Sequence, residues 1–133
     1  MPLKISLKPQ EKIIIAGAML RNGKSATQFL VENNVPILRE KDILREPEAD
    51  SPARRIYFVI QLMYIDQQNT VNYHATYWRL VREFLQAVPK SLKLIDEISE
   101  KILGEQYYKA LRSARKLMDL EQRILAGATQ PQI

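Results

Sequence analysis

The feature that most constrains this chain is a change of hydrophobic period about a third of the way along. Up to Leu38 the apolar residues come as alternations and short β-branched runs, and from Ile56 onward they recur every three to four positions. A period of two lines one face of a strand, and a period near 3.6 lines one stripe of a helix. One chain therefore has to build a β unit first and a helical unit second.

In "LKISLK", Leu3, Ile5 and Leu7 share one side, while Lys4, Ser6 and Lys8 share the other. That is the pattern of a half-buried strand, and Pro9-Gln10 suits the turn after it. "KIIIAGA" predicts a second strand ending near Gly17. Asn22-Gly23, between apolar stretches, predicts a tight hairpin turn, because both residues tolerate positive φ. Thr27, Phe29 and Val31 alternate again, and Ile37-Leu38 after Pro36 can form a short fifth strand.

"EPEADSPARR" marks the boundary. Asp50 or Ser51 can cap a helix that has Pro52 near its first position. Four helices follow: one from about Arg54, then Val71 to Val88, Ser91 to Leu103 and Glu105 to Ala126. Pro89 stops the second, and Gly104 can end the third or kink the last two as one helix. The expected class is α+β, with a basic antiparallel β unit over 1–46, a linker over 47–52, helices over 53–126 and a flexible tail over 127–133. About 45 residues bury little apolar area alone. The β unit needs cover, and dimerisation or the helical half can supply it.

The chain holds no cysteine, one histidine and four separated glycines. Thiolate chemistry, disulfides and a phosphate-cradling glycine loop are thereby excluded, and His74 alone cannot build a typical zinc site. No GxSxG elbow is present. Asp96, Glu97 and Glu100 alternate with Lys93 and Lys101 at helical spacing, the pattern of a solvated face. We read a non-enzyme without cofactor or metal. No apolar run reaches the roughly 20 residues that span a bilayer, and no leader pattern stands at the N-terminus, so a cytoplasmic protein without membrane attachment is expected.

The net charge of +5 is unevenly spread. Residues 1–45 carry Lys4, Lys8, Lys12, Arg21, Lys24, Arg39, Lys41 and Arg45 against Glu11, Glu32, Glu40 and Asp42, a net of +4. A guanidinium at the exit of the fifth strand can fork onto phosphate or a guanine edge. Lys4 and Lys8 on the outward face of the first strand, Arg21 and Lys24 about the expected hairpin tip, and Lys41 would add positive charge. The β half has one aromatic, Phe29, so base stacking is not the expected mode of binding. Arg54-Arg55 and Arg112, Arg115 and Lys116 are further basic spots on helices. Trp78 beside Arg79 is a candidate anchor for a protein partner, because Trp and Arg are common hot-spot residues.

"MPLKISLKP", "EKIIIAGAMLRNG", "NNVPILREKDIL" and "SPARRIYFVIQLMYI" together resemble the FlbT family of flagellum biosynthesis regulators. The resemblance implies binding to the 5′ untranslated region of flagellin messenger RNA, altering its translation or stability, with a FlaF-like flagellar protein as partner and no DNA target. It leaves repression or activation open. "LKPQEKIIIAG" and "NNVPILREKDI" also resemble parts of the carbon-storage regulator (CsrA) family of RNA-binding β proteins. Glu11, Ile13, Gly17, Pro36, Arg39, Glu40 and Ile43 fall in matching order. Leu38, Gln10 and Leu7 depart, standing where His, a turn glycine and a basic residue are usual. That likeness implies RNA contact by Arg39 and an interlocked homodimer. The rival reading is a protein–protein adaptor in flagellar assembly, which binds a FlaF-like protein or flagellin through the helical aromatic surface and controls RNA indirectly.

Overall fold

The computed structural model describes residues 2–129. Five strands precede four helices: β1 Leu3–Leu7, β2 Lys12–Ile15, β3 Ala18–Arg21, β4 Thr27–Val31, β5 Ile37–Arg39, then α1 Pro52–Ile65, α2 Thr70–Ala87, α3 Leu92–Leu103 and α4 Tyr107–Thr129. The α+β class expected from the change of period is the class observed. The chain divides into two compact units at Ile43–Leu44.

The first unit contains two small antiparallel sheets, β1-β4 and β3-β2-β5. Ile5 lies opposite Phe29, and Ile13 lies between Leu20 and Arg39. The alternation in β1 buries Ile5 and Leu7 and leaves Leu3, at the strand's start, exposed. Ile5, Leu7 and Ile13 form the core, with Ile15, Phe29, Val31 and Ile37 packed around them. Each fully buried isoleucine contributes about 1.5–3 kcal/mol. Ile14 and Leu38, opposite each other, are buried as well. This explains why β2 reads as an unbroken apolar run rather than an alternation.

One turn differs from expectation. The tight hairpin is made by Ala16-Gly17, which joins β2 to β3 with φ of 52° and 84°. Asn22-Gly23 lies instead in the loop between β3 and β4. The Asn22 side chain is occupied there: its Nδ2 donates to the carbonyls of Lys8 at 2.7 Å and Ser25 at 2.9 Å. β2 accordingly ends at Ile15, two residues before Gly17.

In the second unit, the Gln61 side chain donates to the Leu44 carbonyl and accepts from its amide, at 2.9 and 2.8 Å. That clasp fastens Leu44 to α1, so the helical unit begins before the acidic linker. Ser51 caps α1, its hydroxyl accepting from the Arg54 amide, and Pro52 opens the helix. The carboxylate of Glu121, from α4, accepts from the Ser51 hydroxyl and from the Ala53 amide at 2.8 Å. A buried carboxylate at a helix N-terminus complements both the orphan amides and the dipole. α1 packs against α2 and α4 through Ile56, Tyr57, Val59, Ile60 and Met63, and α3 packs on α4 through Ile95, Ile98 and Ile102.

Gly104 follows α3 with φ of −87°, and the left-handed residue is Glu105 at 57°. The Glu105 amide donates to Ile102 and the Gln106 amide to Lys101, a Schellman closure with glutamate at the position usually held by glycine. α3 and α4 are thus two helices rather than one kinked helix. α4 continues through Thr129, correcting a tail that was expected to start at 127, and 130–133 lie outside the described residues. Among the described residues no helix is long and apolar enough to cross a membrane.

Candidate nucleic-acid interface

The basic face of the first unit is organised by the turn between β1 and β2. The Glu11 amide donates to the Lys8 carbonyl at 3.1 Å, closing a turn with Pro9 and Gln10 at its centre. Gln10 takes φ of 64°, a conformation glycine adopts more cheaply. The loop between β3 and β4 is stapled to this turn. The Gln10 amide donates to the Gly23 carbonyl and the Asn22 amide to the Glu11 carbonyl, at 2.9 and 2.8 Å. With the Asn22 side-chain bonds, these hold the loop that carries Lys24 against the turn that carries Lys8.

Arg39, at the end of β5, reaches the same turn. Its Nη2 donates to the Ser6 carbonyl at 2.7 Å and to Glu11 Oε2 at 3.3 Å. Its Nε is buried with no hydrogen-bond partner among the described residues. Glu11 Oε1 accepts from the Lys8 amide at 2.8 Å. The Lys8 amide, ahead of the Arg39 guanidinium, holds the Glu11 carboxyl below its ordinary range. Glu40 accepts from the Lys12 amide at 3.2 Å. Around these groups lies an open depression of about 960 Å³, lined among others by Ser6, Lys8, Gln10, Glu11, Arg39 and Lys41.

The structure therefore brings Lys8, Arg39 and Lys41 together and sets the Lys24 loop beside the same turn. Lys4, opposite Leu30 on the outward side of β1, and Arg21, opposite Lys12, do not line the depression. Arg39 does not project freely, as its place after a short edge strand suggested. Its side chain is 36% exposed and ion-paired, and it forms part of the wall. Alternation identifies an accessible position but gives no notice of Glu11, 28 residues away. The exposed ammonium of Lys8 is the less encumbered charge.

The helical basic spots are largely engaged. Arg54 pairs with Asp50 at 2.7 Å and Lys116 with Glu97 at 3.4 Å, while Arg115 lies over the Tyr57 ring. Trp78 and Arg79 part company, since neighbours on a helix point about 100° apart. Trp78 lines an open groove between α2 and α3, and Arg79 pairs with Glu83 at 3.6 Å outside it. Sequence reasoning missed Arg82, Leu92 and Leu103 in that groove. The available clue was that the two leucines lie off the buried Ile95-Ile98-Ile102 stripe. His74 meets the Tyr107 hydroxyl at 3.3 Å. Among the described residues no His, Asp and Glu side chains gather as a metal-holding group.

Comparison with known proteins finds relatives along most of the chain. Residues 3–125 match the family model described as flagellar protein FlbT. A "probable flagellum biosynthesis repressor protein FlbT 1" of Bradyrhizobium diazoefficiens is 42% identical over 125 residues, covering 93% of this chain and 85% of that protein. A "probable flagellum biosynthesis repressor protein FlbT" of Rhodopseudomonas palustris is 40% identical over 126 residues, covering 95% and 99%. One of the same description from Caulobacter sp. strain K31 is 40% identical over 123 residues, covering 91% and 94%. No solved structure matches.

Proposed function

From the premise that the chain belongs to the FlbT family of flagellar proteins, we propose that it regulates flagellum biosynthesis after transcription. It binds the 5′ untranslated region of flagellin messenger RNA and alters that message's translation or stability. The relatives compared above are described as probable flagellum biosynthesis repressors, and their descriptions name biosynthesis control rather than an enzymatic activity. The observation that carries the reading is the gathering of Lys8, Arg39 and Lys41 around one depression, with Lys24 on a loop bonded to its edge.

The chemistry needs no covalent step. Single-stranded RNA offers phosphates to ammonium groups and base edges to amides and guanidinium. Lys8 and Lys24, at the ends of two stapled turns, position the backbone. Arg39, held by Ser6 and Glu11, is pre-oriented and reads at short range. Occupying a leader changes ribosome and nuclease access by mass action.

Titration of the purified chain with flagellin leader RNA at several salt concentrations tests this. Three to four phosphate contacts give a log–log slope of about −2 to −3. Lys8→Glu flattens the slope by about 1, and Arg39→Ala costs about 1–3 kcal/mol if it reads a base. Absence of binding at low salt contradicts direct control.

A further inference from the structure

α2 and α3 each carry two stripes. One stripe is spent on the core of the helical unit: Tyr77, Leu80, Val81 and Phe84 on α2, and Ile95, Ile98 and Ile102 on α3. The other faces the space between these helices. On α2 it runs Trp78, Arg82, Leu85, at i, i+4 and i+7. On α3 it runs Leu92, Asp96, Ser99, Leu103, at i, i+4, i+7 and i+11. Although consecutive, α2 and α3 scarcely meet, because α2 leans on α1 and α3 on α4. An open groove of about 520 Å³ is left between them.

The groove is apolar where it is deep and charged along its edges. Val81, Leu85 and Ile95 line it, while Trp78, Leu92 and Leu103 stand 37%, 50% and 69% exposed. Arg82 marks the α2 side, and Asp96 and Glu100 mark the α3 side. None of these three is in an ion pair among the described residues. The walls are held at a set spacing. The Tyr77 hydroxyl and Ser99 Oγ meet at 2.8 Å across the base, and the Trp78 ring rests edge-on against Tyr77 at 5.0 Å. A buried bond linking the two helices beneath the groove fixes their spacing before anything enters it.

We infer that the α2–α3 groove is a docking site for one amphipathic α-helix of another protein. That helix presents apolar residues at i, i+4 and i+7 between a basic edge facing Asp96 and Glu100 and an acidic edge facing Arg82. The dimensions agree: α3 has 12 residues, a length of about 18 Å that matches three to four turns of a docked helix. Charge decides among other occupants. Carboxylates on one rim repel an RNA backbone. In a symmetric pairing a second copy would set this concave face against itself, and two grooves do not fill each other.

The chain contains a single tryptophan, and it stands in this groove, so its fluorescence reads occupancy directly. Panning a displayed library of helical peptides of roughly 18 residues against the full chain supplies the probe. Recovered peptides should carry the apolar spacing and the two oppositely charged edges. They should shift the emission of Trp78 to shorter wavelength and bind Leu103→Asp at least tenfold more weakly. An Asp96→Lys, Glu100→Lys double variant should lose the recovered peptides and accept versions whose edge charges are swapped. Circular dichroism establishes that both variants stay helical, and leader RNA affinity should be unchanged in both. Recovery of no helical peptide, equal binding by Leu103→Asp, or indifference to the charge swap overturns the inference. So does a concentration-dependent shift of Trp78 emission in the free protein, which would show a second copy in the groove.

Discussion

The β unit and the helical unit solve the same problem by different means. The helical unit is held by apolar stripes, and α1 buries side chains nearly all round. The β unit has a core of a few isoleucines and leucines and is tied by polar staples between distant segments: Asn22 to Lys8, Arg39 to Ser6 and Glu11, Glu40 to Lys12. A small core leaves the backbone of the turns near the surface, where cations and amides collect. A surplus of apolar stripe on the helices leaves a groove instead. The two candidate surfaces therefore suit different partners, one anionic and one amphipathic.

The largest effect lies in the core of the β unit. Ile13→Ala removes a fully buried side chain, at a cost of about 2–5 kcal/mol. The β unit's amide resonances should collapse while helical ellipticity at low temperature stays. If the helices melt with it, the units do not stand separately. Glu121→Ala is next. It leaves the Ser51 hydroxyl and the Ala53 amide without their acceptor, costing about 1–3 kcal/mol. Calorimetry should place the loss in the helical transition and leave the β-unit resonances unmoved.

Acid sharpens the contrast at one residue. The Glu11 carboxyl lies below its ordinary value of 4.5, through the Lys8 amide first and Arg39 after it. A depressed carboxyl stabilises the folded state above the unfolded value, and that contribution disappears as pH falls through the folded one. The β unit should therefore loosen below pH 4.5, and Glu11→Gln should flatten the dependence, as read by amide exchange at residues 8, 11 and 39. The smallest effects come from backbone conformation. Gln10→Gly and Glu105→Gly each relieve a left-handed residue, and each should raise stability by about 0.5–1 kcal/mol, the first in the β unit and the second in the helices.

What the sequence shows plainly is periodicity. The strand alternation of Ile5 and Leu7, the capping Ser51-Pro52 and the buried Tyr77-Leu80-Val81-Phe84 and Ile95-Ile98-Ile102 stripes are local patterns that lie where the spacing puts them, while Leu85, at the same spacing, turns to the groove instead. What it conceals is pairing at a distance. Ala16-Gly17 and Asn22-Gly23 both suit a tight turn. The choice is made by register, Ile15 opposite Ala18, and by Asn22 bonding to Lys8, 14 residues away. Likewise Arg39 reads as an exposed cation until Glu11 is folded against it, and Trp78-Arg79 reads as one hot spot until the helix turns them apart.

In the reading proposed above, leader RNA meets the depression around Lys8, Arg39 and Lys41. Amide and side-chain chemical-shift mapping of the labelled full chain, titrated with flagellin leader RNA at low salt, tests it most directly. Saturable shifts are expected at residues 6–11, 22–26 and 39–41, with the α2–α3 groove silent. Shifts confined to the helices, or none at all, would contradict it.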